Sequence, residues 1–265
     1  KKKNLPSPLF FRSDETICLE NLIYIHLLYS MKKALVVGSG IAGIASSIRL
    51  AVKGYDVEVF EANAYPGGKL SAIEGNGYRF DAGPSLFTLP EQVEELFLIA
   101  GKNPADHFEY DRLEVVCHYF WEDGKKVKAW ADPERFATEV AAELGVSEQG
   151  IKEVLKRSAF IYAHLSPLFM HRSLHKLGTW LGPQALKAYL NLGKLGLFST
   201  MNAFNKQILE DPKLVQLFNR YATYNGSDPY QTPATLSIIP HLEYNIGAFF
   251  PKGGIISIPR ALHKL

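Results

Sequence analysis

The sequence predicts an α/β protein with α+β insertions, in which a β-α-β unit opens the fold and a mostly helical segment follows. The apolar run Ala34–Val37 leads into a glycine-rich turn, an apolar-periodic helix and a second strand, Val57–Phe60. The stretch Ser147–Leu217 has helical apolar spacing instead. The 265 residues are 47% hydrophobic and 21% charged, which is a globular composition that can build a sizeable core.

The turn between the first strand and the first helix carries the most specific signal. Gly38, Gly40 and Gly43 have the G-x-G-x-x-G spacing of a Rossmann-like unit. Gly38 permits the tight turn, Gly40 lets a pyrophosphate approach the backbone, and Gly43 lets the helix pack closely on the strand. Glu61 follows 18 residues after Gly43, where a carboxylate can accept hydrogen bonds from a ribose. We therefore predict an adenine-dinucleotide site; the alternative is a β-α-β unit whose glycines serve packing alone.

The first helix is predicted to bury one face on the sheet. The apolar residues of that face are Ile41, Ile44, Ala45, Ile48 and Val52.

Turn-rich segments follow the β-α-β unit. Pro66–Lys69 is a glycine-containing loop, Ile73–Phe80 reads as a hairpin, and Asp81–Ser85 is a loop of small residues. A helix is predicted over Glu91–Ala100, where Gly101 closes it.

Two further strands, Leu113–Trp121 and Val127–Trp130, precede a helix that begins at Asp132. The helical stretch Ser147–Leu217 is predicted to break at four positions: Pro167, Gly178, Pro183 and Pro212. Asn219–Pro240 is polar and is predicted to be a loop.

The C-terminal part is predicted to contain a strand at Ala248–Pro251, a turn at Lys252–Gly254 and a helix over Ile255–Leu265. Four segments are predicted in all. They are a leader or non-native extension (1–30, with Met31 as the expected start), a first dinucleotide-binding part (31–112), a mostly helical domain (113–244) and a final segment (245–265).

Composition narrows the function classes. The net charge of +2 makes no electrostatic case for nucleic acid. The two cysteines, Cys18 and Cys117, have no metal-ligand spacing and form no disulfide framework, so we expect no metal site and a cytoplasmic setting. The oligomeric state is left open.

The segment Ser166–Leu181 mixes apolar and basic residues, including Phe169, Arg172 and Lys176. This mixture is typical of helices that lie on a membrane surface. An ordinary helical domain with a solvated basic face explains it equally well. The histidines of this stretch are read as structural.

Four motifs together resemble the phytoene desaturase family of FAD-dependent carotenoid desaturases, within the group that includes the flavin amine oxidases. They are the glycine loop with Glu61, Pro66–Lys69, Tyr78–Ser85 and Phe249–Gly254. The resemblance extends from Met31 to the C-terminus, and the Asp-Ala-Gly-Pro-Ser loop narrows it to the carotenoid branch. It implies that 31–112 is the first part of an FAD-binding domain, that 113–244 is a substrate and membrane-associated domain, and that 245–265 is a truncated return to the FAD-binding domain.

The resemblance implies FAD as the cofactor, with Lys69 available to neutralise charge and Gly83–Ser85 lining the flavin or the substrate. The residues expected to hold it are Gly38, Ser39, Gly40, Ala42, Gly43, Glu61, Ala62, Gly67, Gly68, Lys69, Gly83, Pro84 and Ser85.

The implied reaction removes two hydrogens from a carbon pair of an apolar polyene. The sequence nominates no catalytic residue: Arg220, His241 and Glu243 lie in the expected substrate region, but a surface or ion-paired role is preferred for each. A polyene substrate resides in the bilayer, so we expect peripheral association with the inner face of the membrane.

The chain departs from the family in length, since family members are roughly twice as long. A fragment with doubtful activity is therefore expected. Three alternatives to phytoene desaturation stay open: another carotenoid desaturase such as a hydroxycarotenoid 3,4-desaturase, a flavin amine or porphyrinogen oxidase, and a non-catalytic lipid binder like the Rab GDP-dissociation inhibitors.

Overall fold

The computed structural model describes residues 32–265. The predictions for residues 1–30 and for Cys18 lie outside the described residues. The strands of the described part are β1 (Lys33–Val37), β2 (Asp56–Phe60), β3 (Ser71–Gly75), β4 (Tyr78–Ala82), β5 (Tyr110–Arg112), β6 (Val115–Phe120), β7 (Lys126–Trp130) and β8 (Phe249–Pro251). The α-helices are α1 (Ile41–Val52), α2 (Glu91–Ile99), α3 (Pro133–Leu144), α4 (Glu148–Phe169), α5 (Leu177–Trp180), α6 (Pro183–Leu190), α7 (Met201–Lys206), α8 (Pro212–Asn219) and α9 (Ser257–Leu262).

The strands of the described chain form two-stranded ladders, one parallel and three antiparallel. β1 and β2 are parallel and α1 connects them, as a β-α-β unit requires. β3 pairs with β4, β5 with β8, and β6 with β7, all antiparallel. The α/β class with α+β insertions is thus confirmed.

Helix α1 buries only the central part of its predicted face. Ile44 and Ile48 are buried, whereas Ile41 and Val52 are exposed, so the prediction for these two residues is wrong. They occupy the first and last positions of the helix. At those ends the helix extends past the elements that cover its middle.

The C-terminal segment packs back onto the β-α-β unit. Ile255, Ile258 and Leu262 share one hydrophobic cluster with Ile44 and Phe97. A second cluster joins β7, α3, α4 and α8, and a third lies under α4 and α6. The first cluster places the turn before α9 beside the glycine loop.

The break predicted at Pro167 is wrong, because helix α4 continues through this residue. It runs without interruption from Glu148 to Phe169 and contains Pro167, since the proline lies in the last turn and Leu168 remains buried beside it. Ser147 caps the other end, where its hydroxyl accepts a hydrogen bond from the backbone N–H of Gln149 (3.2 Å). Gly178 likewise lies inside a helix, α5, and does not separate two helices.

The segment Asn219–Pro240 is only partly the polar loop that was predicted. It forms 3₁₀ turns over Arg220–Asn225 and Ala234–Ile238, and His241–Ile246 continues it as a π-helical turn. Tyr221 is fully buried in the first turn and belongs to an internal hydrogen-bond network. Between the two 3₁₀ turns the chain is irregular, and Tyr230 is exposed there, as predicted.

Candidate functional site

The glycine loop has the backbone that its spacing predicts. Gly38 has φ +93°, a conformation that L side chains avoid, and its N–H donates to the carbonyl of Phe60 at the end of β2 (2.7 Å). A Cβ on Gly43 would overlap the carbonyl oxygen of Gly38 and lie 3.0 Å from the carbonyl carbon. A Cβ on Gly40 would meet no atom within 4 Å. Gly43 is therefore needed for packing, whereas Gly40 faces open space.

The N-terminus of α1 is open to an anion. Gly40 is its N-cap residue, no side chain caps the helix, and its first turn contains no acidic residue. Ala42, in that first turn, is exposed. The unpaired N–H groups and the positive end of the helix dipole suit a phosphate.

Glu61 lies against the glycine loop at the end of β2. One carboxylate oxygen accepts hydrogen bonds from the N–H (2.7 Å) and hydroxyl (2.8 Å) of Ser39. The other accepts from the N–H (2.9 Å) and the side-chain amide (3.0 Å) of Asn63. These donors, the backbone N–H of Asn63 first, lower the pKa of Glu61 to about 2. Asn63 was missed by the sequence analysis, although an Asn two residues after an acid is a turn signal.

The second glycine pair packs on the first glycine loop. Gly67 forms a parallel β-bridge with Gly40, and its N–H donates to the carbonyl of Ser39 (2.8 Å). A Cβ on Gly68 would lie 3.2 Å from the Cα of Gly40, and one on Gly67 would lie 2.9 Å from Pro259 of α9. The pair thus lets two loops and a helix meet. Ala62 and Lys69 are exposed beside it.

The Asp81–Ser85 loop joins the same assembly. Gly83 has φ +143°, and a Cβ there would overlap the carbonyl oxygen of Lys69. Pro84 and Ser85 are exposed. The Asp81 carboxylate accepts a hydrogen bond from the N–H of Ile255, just after the glycine turn that leads into α9 (3.2 Å). Four motifs that are far apart in sequence therefore form one contiguous site.

An open cleft of about 660 Å³ begins at this site. Ser39, Glu61 and Asn63 form its polar end, and apolar residues of α1 and β2, including Ile48 and Val59, form its wall. The shape offers a polar rim for a ribose and an apolar surface beside it.

The polar residues of the expected substrate region form a buried cluster. Glu243 has a fully buried carboxylate that accepts hydrogen bonds from Arg220 (3.1 Å), from the hydroxyl of Tyr221 (2.8 Å) and from the hydroxyl of Tyr224. Desolvation raises the pKa of both tyrosines. The ion-paired role preferred for Arg220 and Glu243 is confirmed.

His241 lies beside this cluster and is partly buried. Its backbone N–H donates to the hydroxyl of Ser158 (2.8 Å), and burial lowers the pKa of its imidazole. Within residues 32–265, no group of three or more His, Cys, Asp or Glu side chains is arranged to hold a metal ion.

Comparison with known proteins shows what this chain is similar to. Residues 36–99 match the NAD(P)-binding Rossmann-like domain family. The 1-hydroxycarotenoid 3,4-desaturase of Flavobacterium sp. (strain P99-3) is 48% identical over 235 residues, which are 89% of this chain and 48% of that protein. The chain is a homologue of the carotenoid desaturases.

Other relatives of this carotenoid desaturase homologue include an oxygenase. The 4,4'-diapolycopene oxygenase of Methylomonas sp. is 32% identical over 88% of this chain and 47% of that protein. A redesigned putrescine oxidase shares the fold, with a TM-score of 0.53 at 14% identity over 88% of this chain and 48% of that one. The chain spans about half the length of the curated relatives it matches.

Proposed function

We propose that the protein is an FAD-dependent oxidoreductase that desaturates a carotenoid precursor in carotenoid biosynthesis. The observation that carries this proposal is the convergence of the four glycine-containing motifs into one contiguous site, in a chain 48% identical over 235 residues to a carotenoid desaturase. The activity of the whole protein is part of the proposal, because the chain matches about half of each relative.

The residues present fit FAD. The open space at Gly40 and the uncapped start of α1 accept a pyrophosphate, and Glu61 faces the position of the adenosine ribose. Gly67 and Gly68 keep the second loop flat against the first, so that no side chain intrudes between them.

FAD would supply the hydride acceptor for the reaction. This chain's own residues bind and orient the cofactor. Glu61 is ionised at any physiological pH, because its pKa is about 2, and it therefore only accepts hydrogen bonds. We propose that Gly83, Pro84 and Ser85, which are all exposed, contact the flavin or the substrate.

The proposed substrate is a long apolar polyene. Among the alternatives that the sequence left open, a hydroxycarotenoid 3,4-desaturase has the strongest support, since the relative with that activity in its name is 48% identical. Oxygenation is the second candidate, because a 4,4'-diapolycopene oxygenase is 32% identical.

We also propose peripheral attachment to the inner face of the cytoplasmic membrane. No helix within residues 32–265 is both long and apolar enough to cross a bilayer. Leu177 and Leu181 expose 80% and 84% of their surface, and Phe169 at the end of α4 and Leu190 at the end of α6 are exposed as well. Cationic side chains that include Arg172 lie among these apolar ones, as in helices that rest on anionic membranes.

The test is expression of the gene, as the organism encodes it, in cells that accumulate acyclic 1-hydroxycarotenoids or phytoene. The expected product is two hydrogens lighter by mass spectrometry and absorbs at longer wavelength. A product that gains oxygen would support the oxygenase instead. Unchanged pigments alongside well-expressed, flavin-free protein would refute the proposal.

A further inference from the structure

We infer that Asp81 is a positioning residue for the proposed flavin site. Its carboxylate holds the turn Lys252–Ile255 against the end of β4. This contact is named here the Asp81 latch, and it comprises Asp81, Arg79, the N–H of Ile255 and the backbone of Gly254. The inference rests on the proposed function, since the site that the latch shapes is the proposed FAD site.

The latch divides the two oxygens of one carboxylate between two donors. One oxygen of Asp81 pairs with the guanidinium of Arg79 at 2.9 Å. The other accepts a hydrogen bond from the N–H of Ile255 at 3.2 Å. Asp81 is only 13% exposed, which limits competition from water.

The glycine turn is shaped to receive this ion pair. Gly254 has φ +83°, and a Cβ there would lie 2.5 Å from both the Nη1 of Arg79 and the Oδ1 of Asp81. The ion pair therefore lies directly on the backbone of the turn, and only glycine leaves room for it. Asp81 and Ile255 are 174 positions apart in the chain.

The latch acts on both walls of the site. Asp81 is the penultimate residue of β4 and lies two residues before Gly83, whose backbone packs on Lys69. The turn that it holds leads into α9, where Pro259 packs on Gly67. Loss of the Ile255 hydrogen bond would release the turn from the Gly83 loop, and with it the alignment of both loops around a bound cofactor. Placement errors of about 1 Å are costly in such sites.

The decisive variants are Asp81→Asn and the double variant Arg79→Gln/Asp81→Asn. Asn has one acceptor oxygen and one NH2 group. In the single variant the NH2 group therefore faces either the Arg79 guanidinium or the N–H of Ile255, and the hydrogen bond on that side is lost. In the double variant the Gln carbonyl accepts from the Asn amide, which leaves the Asn carbonyl free for Ile255. Asp106→Asn is the control, because Asp106 is exposed and makes no side-chain hydrogen bond or ion pair in the described chain.

The measurements are the Kd for FAD by flavin fluorescence, the visible spectrum of the bound flavin and the Tm of the apoprotein, all on the protein as its gene encodes it. We expect Asp81→Asn to raise the Kd about tenfold, which is about 1.4 kcal/mol, and to alter the flavin spectrum. The double variant should recover most of both, and Asp106→Asn should match the wild type.

The outcomes separate this inference from the proposed function. A wild type that binds no FAD overturns the proposed function and the inference with it. A wild type that binds FAD, with an Asp81→Asn variant of equal Kd and spectrum, overturns the inference alone. A lower apoprotein Tm with unchanged Kd assigns Asp81 to folding and also overturns it.

Discussion

Gly43 and Gly40 offer a pair of substitutions with different predicted effects on stability. In Gly43→Ala the new Cβ would overlap the carbonyl oxygen of Gly38 and lie 3.0 Å from the carbonyl carbon, with Val36 3.7 Å away. The overlap with the oxygen is the tighter of the two contacts, and carbon atoms prefer separations of about 3.5–4.0 Å, so α1 must move by about 1 Å or more from β1. The obstacle is backbone, which cannot rotate away as a side chain can.

Two free-energy contributions decide how much Gly43→Ala changes the stability of the protein. Alanine gains about 1 kcal/mol over glycine inside a helix. Overpacking costs about 1–3 kcal/mol, and the rigid backbone contact favours the upper part of that range. The free energy of unfolding should therefore fall by about 1–2 kcal/mol, and the Tm by roughly 2–8 °C.

Gly40→Ala is the matched control and should behave differently. Gly40 has φ −63° and ψ 171°, which any residue adopts, and its Cβ would meet no protein atom within 4 Å. The apoprotein should keep its Tm. FAD binding should still weaken, because the methyl group occupies the space left for the pyrophosphate.

Thermal denaturation of the apoprotein and FAD titration by fluorescence measure the two effects. Gly43→Ala should lower both stability and affinity, and Gly40→Ala should lower affinity alone. The packing argument is refuted if Gly43→Ala leaves the Tm unchanged. The site assignment is refuted if Gly40→Ala binds FAD as well as the wild type.

Three further substitutions test the charges and the exposed surface. The folded-state pKa of Glu61 is depressed from 4.5 to about 2, so the stability that its carboxylate contributes is present above pH 4.5 and is lost as the pH falls toward 2. This loss forms the acid limb of a plot of Tm against pH, and Glu61→Gln should flatten that limb. Glu243→Gln leaves the charge of Arg220 uncompensated beside a buried site and should lower the free energy of unfolding in urea by about 3–5 kcal/mol. Leu177→Ser with Leu181→Ser should reduce pelleting with anionic liposomes without lowering the Tm, because both side chains are mostly exposed.

Each of these three predictions has its own control or its own contradicting result. The exposed pair Lys33–Glu58 is the control for Glu243, since breaking it with Lys33→Met should cost less than about 1 kcal/mol. An equal cost for both pairs would contradict the burial argument. A Tm–pH profile of Glu61→Gln that keeps the wild-type acid limb would contradict the assigned pKa. Unchanged pelleting of the Leu177/Leu181 variant would remove this surface from the membrane proposal.

Local features of the fold were predictable from sequence, and distant pairings were not. β1, α1 and β2 have their own apolar periods and glycine turn, so each was found within a residue or so. Strand β5 is three residues long and exists because Tyr110 pairs opposite Pro251, far along the chain. A segment this short has no periodic signal of its own.

The region around Tyr221 shows why the polar composition of a segment is a poor predictor of a solvent-exposed loop. Polar residues there were read as a loop, on the expectation that polar groups remain in water. Tyr221 and Glu243 are instead fully buried, because each hydroxyl or carboxylate has a partner inside the cluster. Sequence reveals the polar groups, but only the fold shows that they satisfy one another.

The same limit applied to the candidate site. Its glycines were identified individually, since each stands in a recognisable spacing. Their mutual contacts were not predicted: the approach of Gly68 to Gly40, and that of Pro259 to Gly67, join segments with no local relation in sequence. A sequence motif therefore identifies the residue that must be small, and the structure identifies the neighbouring atoms that leave no room for a side chain.

For Glu61, the hydrogen bonds to its charged carboxylate matter as packing does for the glycines. A carboxylate has about four acceptor positions, and Ser39 and Asn63 fill them with two backbone and two side-chain donors. The backbone donors are fixed by the loop, whereas the hydroxyl of Ser39 and the amide of Asn63 can rotate. In the proposed complex a ribose hydroxyl replaces one of these side-chain donors, and the remaining bonds keep the carboxylate ionised and oriented. Glu61 thus shapes the glycine loop before it contacts a cofactor, which is why loop structure and cofactor affinity should change together when its charge is removed.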